Sequence, residues 1–164
     1  MHKVETIKSS KLFPVIQDLL AEGMSTRITV AGMSMYPFLR EFTDSVELST
    51  TNFEQIRYGD IVLIERKISE YVLHRIIKKD KDCFYMVGDA QQWIEGPLYP
   101  DQLVAVVTAV WRKDKRIECS NFWWKLLSSV WLKFIPFRYF LIRAYKYLRK
   151  ISKIHKNLWR RVRT

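Results

Sequence analysis

Arg27-Ile28-Thr29-Val30 alternates polar and apolar residues, then runs through Ala31 into Gly32-Met33-Ser34-Met35-Tyr36-Pro37. A period of two is the signature of a half-buried strand. The glycine behind it lets the backbone turn sharply and presents a hydroxyl at the strand end. Outward from this stretch the same period returns in Ser45-Val46-Glu47-Leu48-Ser49, and 60–65, 71–77 and 84–87 read as further strands. Residues 103–111 are apolar and β-branched enough to be buried on both faces. Upstream, 11–22 reads as a short helix, with Pro14 in its first turn and Gly23 suited to the C-terminal cap. Many short strands behind one helix predict a mainly β fold: a compact, barrel-like, mostly antiparallel domain.

Charge divides the chain. Residues 122–164 hold twelve Lys or Arg and no Asp or Glu, so the remaining 1–121, with sixteen basic and seventeen acidic residues, carry a net charge of −1. The formal +11 of the 164-residue chain therefore belongs to the tail. This predicts a near-neutral β domain over 1–116 and a basic, aromatic-rich helical tail over 117–164. Within the tail, Leu141, Tyr145, Leu148, Ile151, Ile154 and Leu158 recur at helical steps, with Arg143, Lys146, Lys150 and Lys153 on another side. Pro136 is expected to separate an aromatic first helix from a longer basic one. Cys83 and Cys119 read as reduced structural thiols. With His2, His74 and His155 the only histidines, no metal site or other cofactor is expected. The chain shows no apolar run of signal-peptide or membrane-spanning length.

Chemistry concentrates in four boxes. Gly32-Met33-Ser34-Met35-Tyr36-Pro37 comes first, then Gly59-Asp60 opening a strand, then Tyr71-Val72-Leu73-His74-Arg75-Ile76-Ile77, then Met86-Val87-Gly88-Asp89. A serine hydroxyl is a poor nucleophile until a neighbouring base takes its proton. Histidine, with an ordinary pKa of about 6.5, is available for that role near neutrality. A carboxylate beside it would fix its tautomer and stabilise the imidazolium.

In their order and spacing the boxes resemble the type I signal peptidases and the related self-cleaving SOS-repressor peptidases, over roughly residues 27–111. The resemblance implies a serine endopeptidase with Ser34 as nucleophile and His74 as base. His74 falls where bacterial members place lysine, as in the archaeal and endoplasmic-reticulum branch. Carried over to this chain, the pattern puts Glu95 at the catalytic carboxylate, with Asp89 and then Asp60 behind it. Gly32, Met33, Met35 and Pro37 would flank the oxyanion hole and substrate cleft. Gly32 stands where some relatives carry an oxyanion-stabilising serine, which leaves that work to backbone N–H groups, that of Ser34 included.

Two other readings use the same residues. One is a non-catalytic peptide- or partner-binding module that keeps the peptidase fold. The other is a self-cleaving regulator, although only 33 residues precede Ser34 and the sole Ala-Gly pair, Ala31-Gly32, abuts it. For 122–164, an anionic membrane surface accounts for the mixture of tryptophans and cations better than nucleic acid or simple packing does. The expected partners are thus a peptide or protein substrate and a membrane surface, the protein being peripheral and on the cytoplasmic face.

Overall fold

A computed structural model describes residues 9–66, 70–138, 140, 142–144 and 147 of the chain. Helix α1 (Ser9–Ala21) leads into strands β1 (Thr26–Thr29), β2 (Asp44–Ser49), β3 (Ile61–Glu65), β4 (Tyr71–Lys79), β5 (Phe84–Val87), β6 (Glu95–Leu98), β7 (Leu103–Arg112) and β8 (Lys115–Glu118). Helix α2 (Phe122–Lys133) follows, and the 3-10 turn Ile135–Phe137 comes after it. The α1 terminus shows why Gly23 is there. Gly23 sits at φ 76°, its N–H reaches Leu20 O, and the Met24 N–H reaches Leu19 O. That is the paired bonding of a left-handed helix cap, which a side chain at Gly23 would strain. Pro14 lies farther inside the helix than its expected first-turn place, because α1 begins at Ser9.

All eight strands belong to one antiparallel sheet in the order β1-β2-β7-β3-β4-β5-β6, with β8 also on β7. The fold is mainly β with a short leading helix, as the alternation predicts. The barrel, however, is not closed: β1 and β6 end the path, and closure requires the two ends to pair. Register shifts at Glu47/Leu48, Leu63/Ile64 and Ile76/Lys78 bend the sheet, since an extra residue on one strand increases local twist. The result is a curled, open sheet whose path ends at β1 and β6.

Strand β3 is the spine of the core. Ile61 and Leu63 join a cluster with Phe13, Ile16, Val46 and Val107, which seats α1 on one face. Val62 and Ile64 join Ile76, Phe84, Met86 and Leu98 on the other. Alternate residues of a strand point to opposite faces, so this one strand is buried on both sides. Truncating Leu63 to alanine should cost about 2–5 kcal/mol.

Two strands were not expected. β6 contains Gly96 and Pro97, both poor strand formers, and survives as a four-residue edge strand where a missing N–H is tolerated. β8 crosses the expected domain boundary and carries the sheet past residue 116 to Glu118. Its turn is made by Lys113 and Asp114, both at positive φ, which suits a two-residue hairpin. Helix α2 stops at Lys133, ahead of Pro136, in keeping with the bias against helix just before proline. Its start is capped by Asn121, whose Oδ1 accepts from the Trp123 N–H at 2.9 Å. The apolar positions expected to define a second helix, Leu141 to Leu158, lie outside the described residues.

Candidate active site

Gly32 turns the chain after β1 at φ 85°, and its N–H is held by Glu41 Oε1 at 2.9 Å. The following turn places Ser34 in a cleft of about 360 Å³ between α1, the β1 end and β4. Gly32, Met35 and His74 also line it, whereas Met33 and Pro37 do not. Met35 is buried in the core cluster, and Met33 is exposed. Phe13 and Tyr71 stack at 3.9 Å between ring centroids and form a wall of the cleft, tying α1 to β4.

His74 and Arg75 are neighbours on β4 with different tasks. His74 lines the cleft and is buried; its Nδ1 lies 3.2 Å from Glu95 Oε2. An ionised carboxylate can only accept, so Nδ1 carries the proton and Nε2 is left as the basic nitrogen. Burial, partly opposed by the Glu95 charge, holds the imidazole below its ordinary range and thus neutral at physiological pH. Burial is the largest single influence on Glu95 and pushes its carboxyl up, but the hydrogen bonds and charge of Arg66, together with His74, outweigh it, so the carboxyl titrates below the usual value. Arg66 grips both oxygens, Nε on Oε1 and Nη2 on Oε2, the latter at 2.6 Å. Ser34, His74 and Glu95 thus meet at one site, with Arg66 behind the carboxylate. No hydrogen bond joins the Ser34 hydroxyl to His74 among the described residues; such bonds are often long without substrate.

Asp89 is placed elsewhere. It is fully buried and gives both oxygens to Arg75, at 3.0 and 2.7 Å. As a second candidate for the carboxylate beside His74 it is therefore set aside: its partner is the Arg75 guanidinium. Asp60 does bond a turn, its Oδ2 accepting from the Arg57 N–H at 2.8 Å, and burial raises its pKa. Neither carboxylate bonds His74.

The Gly88-Asp89 turn is instead a platform for Ser34. The Ala90 N–H donates to Ser34 O at 2.7 Å, and a Cβ on Gly88 would stand 2.7 Å from that same oxygen. Only glycine permits this approach. Helix α2 and the segment after it hold the platform from behind: Trp131 Nε1 donates to Asp89 O, Arg138, beyond the helix, donates from Nη1 to Gly88 O, each at 3.0 Å, and Ser128 Oγ meets Arg75 Nη1 at the same distance. Arg138 is fully buried, and desolvation lowers its pKa. Trp124 meets Phe38 edge-on at 5.5 Å.

Sequence reasoning missed this brace because the tail reads as separate in charge. It also missed Arg66 and Gln91. Gln91 lines the cleft, and its buried Oε1 has no hydrogen-bond partner among the described residues. The Ser34 N–H has no acceptor among the described residues, which leaves it free to face a developing oxyanion. The Gly32 N–H is committed to Glu41 and is not available for that work. Cys119 is a free thiol whose pKa burial pushes up to about 12, so it offers no thiolate nucleophile. Among the described residues no cluster of His, Cys, Asp and Glu is placed to hold a metal ion. No protein-family model and no curated protein sequence matches the chain.

Proposed function

We propose that the protein is a serine endopeptidase of the signal-peptidase type. The observation that carries this reading is that Ser34 shares a cleft with His74, whose Nδ1 is bonded to the Arg66-anchored carboxylate of Glu95. In the proposed reaction, His74 Nε2 takes the Ser34 proton as Oγ attacks the peptide carbonyl. The Ser34 N–H faces the resulting oxyanion. His74 then protonates the leaving amine, and water hydrolyses the acyl-enzyme by the reverse sequence. Glu95 holds the imidazole tautomer throughout.

Digestion of a peptide mixture, read by mass spectrometry of the new termini, tests this. Wild-type protein should generate cleavages that Ser34→Ala and His74→Ala abolish while both variants keep the wild-type circular dichroism spectrum. The lack of a direct Ser34–His74 hydrogen bond favours a second reading, a peptide-binding module that does no chemistry. Peptide retention without cleavage, unaffected by Ser34→Ala, would support that module instead.

The reading includes a place of action. No helix among the described residues is long and apolar enough to cross a membrane. The twelve cations of 122–164, unopposed by any anion, support peripheral attachment to an anionic membrane surface, on the cytoplasmic side.

A further inference from the structure

Helix α2 has two unlike sides. At 100° per residue, Trp124, Ser128, Trp131 and Leu132 fall together, and these are the residues half-buried or buried against the sheet and the Gly88 turn. Trp123, Leu126, Leu127, Val130 and Phe134 occupy another arc of about 100°. All five are exposed, Trp123 at 67% and Leu127 at 58%. The apolar run continues past the helix through Phe137 and Phe140, also exposed. Lys133 stands at its margin, and no acidic residue lies anywhere in 122–164. A soluble surface seldom leaves so long an apolar strip uncovered.

We propose that this outward face of α2 is the surface by which the protein enters an anionic lipid layer, its aromatic and aliphatic side chains seating among the headgroups while neighbouring cations meet lipid phosphates. The proposal rests on the membrane part of the functional reading and sharpens it: attachment is apolar insertion at a defined helix face and not charge attraction alone. Charge selects the occupant. A helix whose charged residues, Lys125 and Lys133, are both cations suits a negatively charged interface, whereas another copy of this chain would bring cations against cations. Because the inward side of the same helix is bonded to the turn that carries Ser34 O, the lipid contact is made by an element rigidly joined to the active cleft.

Co-sedimentation of the full-length chain with phosphatidylcholine vesicles, with and without phosphatidylglycerol, tests the proposal across a salt series. The variant Trp123→Ser/Leu127→Ser/Val130→Ser removes the strip without altering charge or any site residue, and its thermal unfolding and peptide hydrolysis serve as controls. Wild-type protein should bind the anionic vesicles with a part of its affinity that salt does not remove. The triple variant should bind at least tenfold more weakly and be released completely by salt. Equal binding by wild type and variant at every salt concentration would overturn the insertion proposal while leaving charge-driven membrane attachment standing. No binding by wild-type protein would end the membrane reading itself. Two further results would overturn the proposal by naming another occupant. One is a wild-type dimer that the triple variant dissolves. The other is hydrogen-exchange protection of 123–134 that disappears when 148–164 are deleted.

Discussion

His74 sits between two opposite charges, and this fixes the sign of two substitutions. The Glu95 carboxylate favours its protonated form, and the Arg66 guanidinium disfavours it. Glu95→Gln should therefore move the acidic limb of the pH–rate profile to lower pH and reduce kcat by roughly 10²–10⁴-fold, since the tautomer is no longer held by a charge. Arg66→Gln should move the limb upward. In the wild type the limb should lie below about pH 6.5, because burial depresses the imidazole pKa. Stability follows the same linkage. The unfolded chain takes up a His74 proton near its ordinary pKa and the folded chain resists, so His74 makes no contribution above that value and destabilises the fold as pH falls below it. Glu95, with its lowered pKa, contributes stability above the ordinary carboxyl value and loses it as pH falls through its folded value. The two arginine-bound carboxylates, Asp89 fully buried and Glu95 only partly, should separate cleanly by thermal unfolding. Asp89→Ala strands the Arg75 charge at zero exposure, costing about 3–5 kcal/mol and lowering Tm by roughly 10 °C. Glu95→Gln should leave Tm within a few degrees of wild type. Ser34 and His74 could be picked out from local boxes, a glycine turn and a strand pattern, whereas Glu95 was reached only through the family resemblance. Arg66 and Gln91 could not be picked out, since Arg66 meets Glu95 across 29 positions and nothing in its own neighbourhood marks it.

At the scale of elements, α2 and the Gly88 turn work as one part. Gly88→Ala would push a methyl against Ser34 O and the Gln91 side chain, so both stability and hydrolysis should fall, and shortening Gln91 should not restore them because the backbone contact remains. Trp131→Phe keeps the ring and deletes the bond to Asp89 O. If Ser34 is the nucleophile and His74 the base as proposed, it should lower kcat more than it raises KM, with the pH profile unmoved, because the bond it deletes positions Ser34 and not His74. Truncation gives the matching test. Ending the chain at 121 removes the buried Leu132 and Arg138 and should cause aggregation, whereas ending it after 147 keeps the brace and should leave Tm near wild type. β1 and β2 were legible from their alternation, and β3, β4, β5 and β7 from short apolar runs, although β7, expected to be buried on both faces, is only half-buried on one of them. β6 and β8 were not legible, for Gly96-Pro97 and Lys115-Arg116 carry no such pattern, and their pairing is imposed by neighbouring strands. The first helix of the tail was legible as helix, but its burial against the Asp89 turn was not, because charge counting separates segments that packing joins.

Across the whole molecule, a near-neutral sheet domain carries the cleft, and a cationic C-terminal region supplies both its brace and its proposed lipid face. The division of charge predicts that vesicle attachment depends on 122–164 and weakens with salt, since exposed charges are screened over about 8–10 Å at physiological ionic strength. The central claim nevertheless concerns Ser34. An activated peptidyl ester acylates a serine peptidase faster than the acyl group is hydrolysed, so the first turnover appears as a burst. Rapid mixing with such an ester, followed by acid quench and peptide mapping, should show a burst close to one equivalent, with the acyl group on Ser34. His74→Ala should slow it by at least roughly 10²-fold. A burst of undiminished size in Ser34→Ala, or an acyl group mapped to another residue, would contradict the account.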